Sequence, residues 1–379
     1  MDFDYSPEQR ELRNQARRFL EDHYAPAKMR VALVDEDPAA GKSLHLAMAG
    51  LGWTGITIPE KEGGLGMGHV DLCALAEELG RALVPGPFAS TVYGFVEALR
   101  LAGTPEQRER WLPAVAAGSA AGCLALAEGP GDLDATACEA TVVNGKLHGS
   151  KWPVTDGGLA DVAVVLAQEG NGTALFLVDL AAGIVRTPMA SIDGSRPVCR
   201  LEFHGVSAER LGGGNEGRLL AAALLDRVAV PIAFEQLGGA DRCLEIARAY
   251  ALDRRAFGRP IGSFQAIKHR LVDMYVKNEM ARSNAYYAAW ALETDAPQLR
   301  TATAVARLSA TEAFEFAARE NLQVHGGIAI TWEADLHLFL RRSRQLSALA
   351  GSPDYWGERL VGALIDEPVA LISNANVSH

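Results

Sequence analysis

The sequence predicts an α+β chain in three blocks. These are a helical N-terminal domain over residues 1–121, a middle domain of antiparallel, barrel-like β-structure over 122–215, and a C-terminal four-helix bundle over 216–379. Three observations predict it. Apolar residues recur at helical spacing before about residue 120, short β-branched runs separated by turn residues follow, and long helical periodicity returns after Gly212-Gly213-Gly214-Asn215.

In the first block Ser6 caps a helix over 6–24: Pro7 suits its first turn, Gln9 completes a capping box, and Leu12, Ala16, Phe19 and Leu20 share a face. Thr104-Pro105-Glu106-Gln107 repeats that start signal before Trp111 and Leu112, and Leu72, Leu75 and Leu79 mark another amphipathic turn series. In the second block Asn144-Gly145 is a two-residue hairpin signal between Thr141-Val142-Val143 and Lys146-Leu147-His148. Gly170-Asn171-Gly172 turns 162–166 back onto 174–178. In the third block helices are expected near 218–253, 263–292, 298–322 and 333–350, with Pro231 removing one backbone donor and inviting a kink in the first.

With 379 residues, 49% of them hydrophobic and 22% charged, the chain can bury several cores, which excludes intrinsic disorder and a disulfide-stapled miniprotein. A net charge of −11 argues against nucleic acid as a partner. The cysteines Cys73, Cys123, Cys138, Cys199 and Cys243 lie far apart with no C-x-x-C, so reduced thiols are expected and no zinc site. The chain opens without a basic leader and apolar core, and no stretch approaches about 18 uninterrupted apolar residues. A cytoplasmic protein with no membrane partner is the expectation.

Two strings stand out. In Asp253-Arg254-Arg255-Ala256-Phe257-Gly258-Arg259-Pro260-Ile261-Gly262-Ser263-Phe264-Gln265 the arginines favour a helix C-terminus, Gly258 can end the helix and Pro260 stops its continuation. Arginines around a phenylalanine and two glycines also suit an anionic, aromatic ligand. In Gln323-Val324-His325-Gly326-Gly327-Ile328-Ala329-Ile330-Thr331-Trp332-Glu333 the two glycines either end a helix or let backbone approach a ligand, and His325 reads as a capping or core histidine.

The two strings, their separation and the three-block order resemble the acyl-CoA dehydrogenase family over nearly the whole chain. Residues 58–66 (Ile-Pro-Glu-Lys-Glu-Gly-Gly-Leu-Gly), Gly149-Ser150-Lys151 and Val154-Thr155-Asp156-Gly157-Gly158 add to the likeness. The resemblance implies FAD between the β domain and the bundle at a subunit interface, and α,β-dehydrogenation of an acyl-CoA thioester. In that chemistry a carboxylate removes the α-proton, the β-hydrogen leaves as hydride to the flavin, and an electron-transferring flavoprotein takes the electrons. It also implies that Arg254, Phe257, Gln265, Gln323, Gly326 and Gly327 hold the diphosphate and adenosine half of a neighbouring subunit's FAD, while Thr155 keeps a flavin-facing hydroxyl.

The chain departs from the pattern in its own flavin pocket. Ala127 stands where the family has threonine in Leu126-Ala127-Glu128-Gly129-Pro130-Gly131-Asp132, and Pro153 replaces an aromatic. Both family positions for the catalytic carboxylate are apolar: Ala350 after the fourth bundle helix and Val228 on the first. Glu235 lies about 10 Å further along the helix than Val228 at 1.5 Å per residue, and Asp354 and Glu128 read as solvated surface carboxylates. No catalytic residue is therefore assigned. The expectation is the base-less subunit of an α2β2 acyl-CoA dehydrogenase for bulky steroid-derived CoA esters, partnered by a homologous chain. A homomeric flavoenzyme with a relocated base (Glu235, Asp354 or Glu128) and a non-catalytic scaffold are the alternatives.

Overall fold

Helix α1 (Pro7–His23) begins with the expected reciprocal cap, the Gln9 amide donating to Ser6 Oγ at 3.2 Å and the Ser6 amide to Gln9 Oε1 at 3.0 Å. The computed structural model describes residues 5–24, 30, 38–130, 138–181, 183–214 and 216–366. After α2 (Pro38–Gly50) come α3 (His69–Arg81), a π-helical segment (Ala89–Val96) running into α4 (Glu97–Ala102), and α5 (Pro105–Ala116), which the Thr104/Gln107 box caps as α1 is capped. Arg13 and Arg17 on α1 reach across to Glu77 and Glu78 on α3, tying the first two apolar faces together.

The middle block is an eight-stranded sheet of β1 (Gly122–Ala125), β2 (Thr141–Val143), β3 (Lys146–Thr155), β4 (Val162–Glu169), β5 (Gly172–Asp179), β6 (Ile184–Met189), β7 (Val198–Ser207) and β8 (Glu209–Leu211). The strands run in the order β6-β7-β3-β2-β4-β5-β8, with β1 beside β4. Both hairpins form as expected: Asn144 and Gly145 take positive φ (49° and 71°) in the β2–β3 turn, and Glu169 pairs with Gly172 across the β4–β5 turn. The expected antiparallel barrel does not form. The sheet is open, with β6 and β8 as its ends, and it is mixed, because β1 and β2 both pair with β4 in parallel. Turn signals specify only sequential antiparallel neighbours, so the parallel crossovers left no local mark.

The C-terminal block contains α6 (Gly217–Asp253), α7 (Gln265–Glu293), α8 (Leu299–His325) and α9 (Leu336–Ala348), plus α10 (Pro353–Asp366), a fifth helix the periodicity did not predict. Helix α6 runs through Pro231 unbroken. Gln236–Thr311 and Tyr250–His325 contacts set α6 and α8 parallel, while Arg270–Glu320 and Lys277–Glu312 set α7 against α8 antiparallel. Helix α6 also presses on α3: a Cβ added to Gly80 would lie 2.0 Å from the Glu235 carbonyl oxygen, and one on Gly238 1.8 Å from that of Glu77. Only glycine permits this backbone approach.

One buried cation ties the three blocks. The Arg342 guanidinium on α9 donates to Asp193 and, at 2.7 Å, to Ser195 Oγ in the loop between β6 and β7, and to the Leu83 and Val84 carbonyls after α3 at 3.2 and 3.1 Å. All five cysteines are free and buried, and no helix among the described residues is long and apolar enough to cross a membrane.

Breaking a buried ion pair from one side costs about 3–5 kcal/mol, so Arg342→Met is expected to lower unfolding free energy by that amount in urea titrations. Arg110→Met, which removes the exposed partner of Glu209, is expected to cost at most about 1 kcal/mol. Glu97 carries a pH signature. Burial alone would raise its carboxyl, but His69, Arg100 and Arg227 outweigh burial and hold it at about 2, below the ordinary 4.5. Its contribution is present above pH 4.5 and disappears as pH falls towards 2. The stability difference between wild type and Glu97→Gln should therefore shrink across that window in acid-titration melts.

Candidate active site

A cavity of about 740 Å³ opens between the π-helical segment, the sheet, α6 and the turn after α9. Leu225, Val228 and Ile232, at i, i+3 and i+7 on α6, form one wall. The turn 348–352 forms the facing wall, with Ala350 at φ 60° and Gly351 at φ 113°. Arg307 on α8 fixes that turn from behind by donating to the Leu346 and Leu349 carbonyls at 2.8 and 3.0 Å, and burial depresses its guanidinium to about 9. Val228 and Ala350, read separately in the sequence, thus face one space, and neither can accept a proton.

The three substitute carboxylates have different fates. Glu235 is fully buried, paired with Arg196 at 2.8 Å and accepting from the Tyr93 hydroxyl at 3.0 Å. Tyr93 and Arg196 line the cavity and Glu235 does not. Glu128 corrects the expectation of a solvated side chain. It is 9% exposed, and Lys151, itself wholly buried, donates to its Oε1 at 2.5 Å while the Ala140 amide donates at 3.0 Å. Burial would raise this carboxyl, but Lys151 and the amides of Ala140 and Glu139 hold it below the usual range. The β-sheet brings these partners together from beyond the range of local reading. Asp354, in the first turn of α10, is exposed and is the one acidic residue among the described residues lining the cavity. Thr155, Ala127 and Pro153 also line it, whereas Gly131 and Asp132 lie outside the described residues.

Sequence reading missed the polar part of the wall. Ser90, Tyr93 and Arg196 line the cavity, and Ser90 donates to the buried Asp156. Burial raises the Asp156 carboxyl to about 7 against the Ser90 hydrogen bond and the charges of Arg196 and Arg342. These residues come from three segments, the π-helical one, the end of β3 and the loop before β7, so only the fold could bring them together.

The two strings form a second, separate surface at the far end of the bundle. Helix α6 ends at Asp253, and Phe257 and Gly258, at φ 52° and 76°, turn the short hairpin β9 (Arg255–Ala256) to β10 (Arg259–Pro260), so Gly258 closes a hairpin rather than the helix. Phe257 is 95% exposed, Arg254, Gln265, Gln323, Gly326 and Gly327 are exposed too, and Arg259 lies over the Phe264 ring at 4.1 Å. Tyr250 and His325 stack at 4.1 Å, which holds the ends of α6 and α8, and with them both strings, side by side. Arg254 follows Val228 by 26 positions on α6, a rise of about 39 Å at 1.5 Å per residue.

The chain matches the family model "Acyl-CoA dehydrogenase, N-terminal domain" over residues 6–119 and "Acyl-CoA dehydrogenase, C-terminal domain" over 215–361. It is 35% identical to acyl-CoA dehydrogenase IpdE2 of Mycobacterium tuberculosis, across 96% of this chain and 99% of the relative. Among solved structures, a variant of the Tcur3481-Tcur3483 steroid ACAD aligns with a TM-score of 0.86 at 32% identity, covering 96% of this chain and 99% of that one. The ChsE4-ChsE5 complex from Mycobacterium tuberculosis aligns with a TM-score of 0.85 at 26% identity, covering 97% and 99%.

If Glu128 is a structural partner of Lys151, Glu128→Gln alone should leave a buried unpaired ammonium and lower the unfolding midpoint strongly. The double variant Glu128→Gln/Lys151→Met, which buries no charge, should recover much of the loss in thermal melts.

Proposed function

The chain belongs to the acyl-CoA dehydrogenase family, and on that premise we propose that it is the base-less subunit of a heteromeric enzyme for steroid-derived CoA esters, completing the flavin site of a homologous chain. As a family member it is an oxidoreductase acting on a CH–CH group of an acyl-CoA, with FAD as cofactor. The observation that carries the reading is that Val228 and Ala350 line the same cavity from facing walls. Proton abstraction from an α-carbon needs an acceptor within hydrogen-bond reach, and the two positions at which the family resemblance implies one hold hydrocarbon here.

The opposite end of the molecule supports the partner role. Among the described residues nothing beyond the adjoining backbone lies within 4 Å of where a Cβ would stand on Gly258, Gly326 or Gly327, so a ligand held by another chain can approach this backbone closely. In this reading Arg254 pairs with phosphate oxygens, Phe257 packs against the adenosine portion, and Gln265 and Gln323 supply amide contacts. FAD, when bound, supplies the hydride acceptor that no side chain provides. About 39 Å of helix between Val228 and Arg254 assigns the cavity and the exposed strings to two different sites. The two-chain names of the steroid ACAD and of the ChsE4-ChsE5 complex support assembly with a homologous chain and a steroid-derived acyl group. An electron-transferring flavoprotein is the electron acceptor in this proposal.

A second reading, a homomeric enzyme with a relocated base, is favoured by one observation: Asp354 faces the cavity just after Ala350. Co-expression with a homologous family chain separates the two. The first reading expects co-purification, half as many flavins as chains, and loss of flavin without loss of assembly in Arg254→Ala/Phe257→Ala. Asp354→Asn should then leave the rate within about twofold, whereas loss of a general base costs about 10²–10⁴ in rate. One FAD per subunit and acyl-CoA oxidation by the chain alone would overturn the first reading.

A further inference from the structure

The polar part of the cavity wall is arranged in a way the proposed activity does not use. Ser90 touches the cavity and its hydroxyl donates to Oδ2 of Asp156. Asp156 is fully buried at a positive-φ position directly after Thr155, and its other oxygen, Oδ1, has no hydrogen-bond partner among the described residues. The charged and titratable groups around it are Arg196, Arg342 and Glu235, with the Cys123 and Cys199 thiols nearby. Arg196 is bound to Glu235 and Arg342 to Asp193, and among the described residues no ion pair reaches Asp156. The Tyr93 hydroxyl is likewise turned to Glu235.

An ionised carboxylate only accepts hydrogen bonds, and a serine hydroxyl has one proton to give. With that proton committed to Asp156, Ser90 Oγ can offer only lone pairs to the cavity. We propose that the Ser90–Asp156 pair makes Ser90 Oγ a hydrogen-bond acceptor selective for a hydroxyl-bearing acyl group, so that the cavity of this chain binds hydroxylated alicyclic acyl-CoA esters in preference to their deoxy or keto counterparts. The inference rests on the cavity being an acyl-CoA pocket, but on neither the heteromer nor the missing base. A volume of about 740 Å³ lies within the range of small-molecule sites.

The direction of the Ser90 proton depends on Asp156 being ionised. Burial raises that carboxyl to about 7. At pH 8 it is mostly a carboxylate and the selectivity is greatest; at pH 6 it is mostly a carboxylic acid that can itself donate to Ser90, which frees the serine proton for the ligand and weakens the selectivity.

Calorimetric titration of the full-length chain with 4-hydroxycyclohexanecarboxyl-CoA, its 4-oxo analogue and cyclohexanecarboxyl-CoA tests this without requiring an assembly. At pH 8 the hydroxy ester should bind about tenfold more tightly than the other two, the scale of one good hydrogen bond, and the advantage should fall at pH 6. Ser90→Ala should erase it, and Asp156→Asn, which cannot titrate, should abolish the difference between pH 6 and pH 8 while the melting profile shows both variants folded. Equal binding of the three esters, no binding of any of them, or a hydroxy preference that survives Ser90→Ala overturns the proposal. Failure of the heteromer reading would show instead as absent co-purification with these affinities unchanged.

Discussion

A buried guanidinium cannot leave its N–H groups empty without a desolvation cost of several kcal/mol, and the architecture turns on how Arg342 meets that demand. Its partners come from Leu83 and Val84 after α3 and from Asp193 and Ser195 before β7, while the arginine itself rides on α9. The observed docking of the three blocks brings these acceptors within reach of one planar fork. Three residues beyond Asp193, Arg196 repeats the device with the Val84 carbonyl and Glu235 of α6. The loop carrying both is held to the helical block, through Leu83 and Val84, and to the bundle, through α6 and α9.

This clamping is why the cavity keeps its shape although Val228 and Ala350 line it with hydrocarbon. Its walls stand on elements fixed elsewhere: α6 by the glycine contacts with α3, the turn at Ala350 by Arg307, and the loop 193–196 by the two arginine clamps. None of these supports passes through the Val228 or Ala350 side chains, so the space is held open independently of which side chains stand at those two positions.

Electrostatics divides the carboxylates by role. Glu235 and Glu128 are locked by buried cations, and Asp156 is buried beside cations that are bound to other acids. Buried acids of the first kind fix geometry. One of the second kind keeps a titratable proton close to a ligand space, with Ser90 linking it to the wall.

Much was legible in the chain alone, for local reasons. The caps at Ser6 and Thr104, the Asn144-Gly145 hairpin and the long bundle helices follow from hydrogen bonds and periodicities within a few residues, and they fold as read. The family likeness rests on strings equally local. What the sequence could not determine is anything that depends on partners far apart in it: the parallel pairing of β4 with β1 and β2, the burial of Glu128 against Lys151, the convergence of Val228 and Ala350 on one cavity, and the Ser90–Asp156 pair. Propensity, capping and turn chemistry act between neighbours along the chain, so they identify elements. Burial, register and charge pairing act between neighbours in space, and only the docking of those elements decides them.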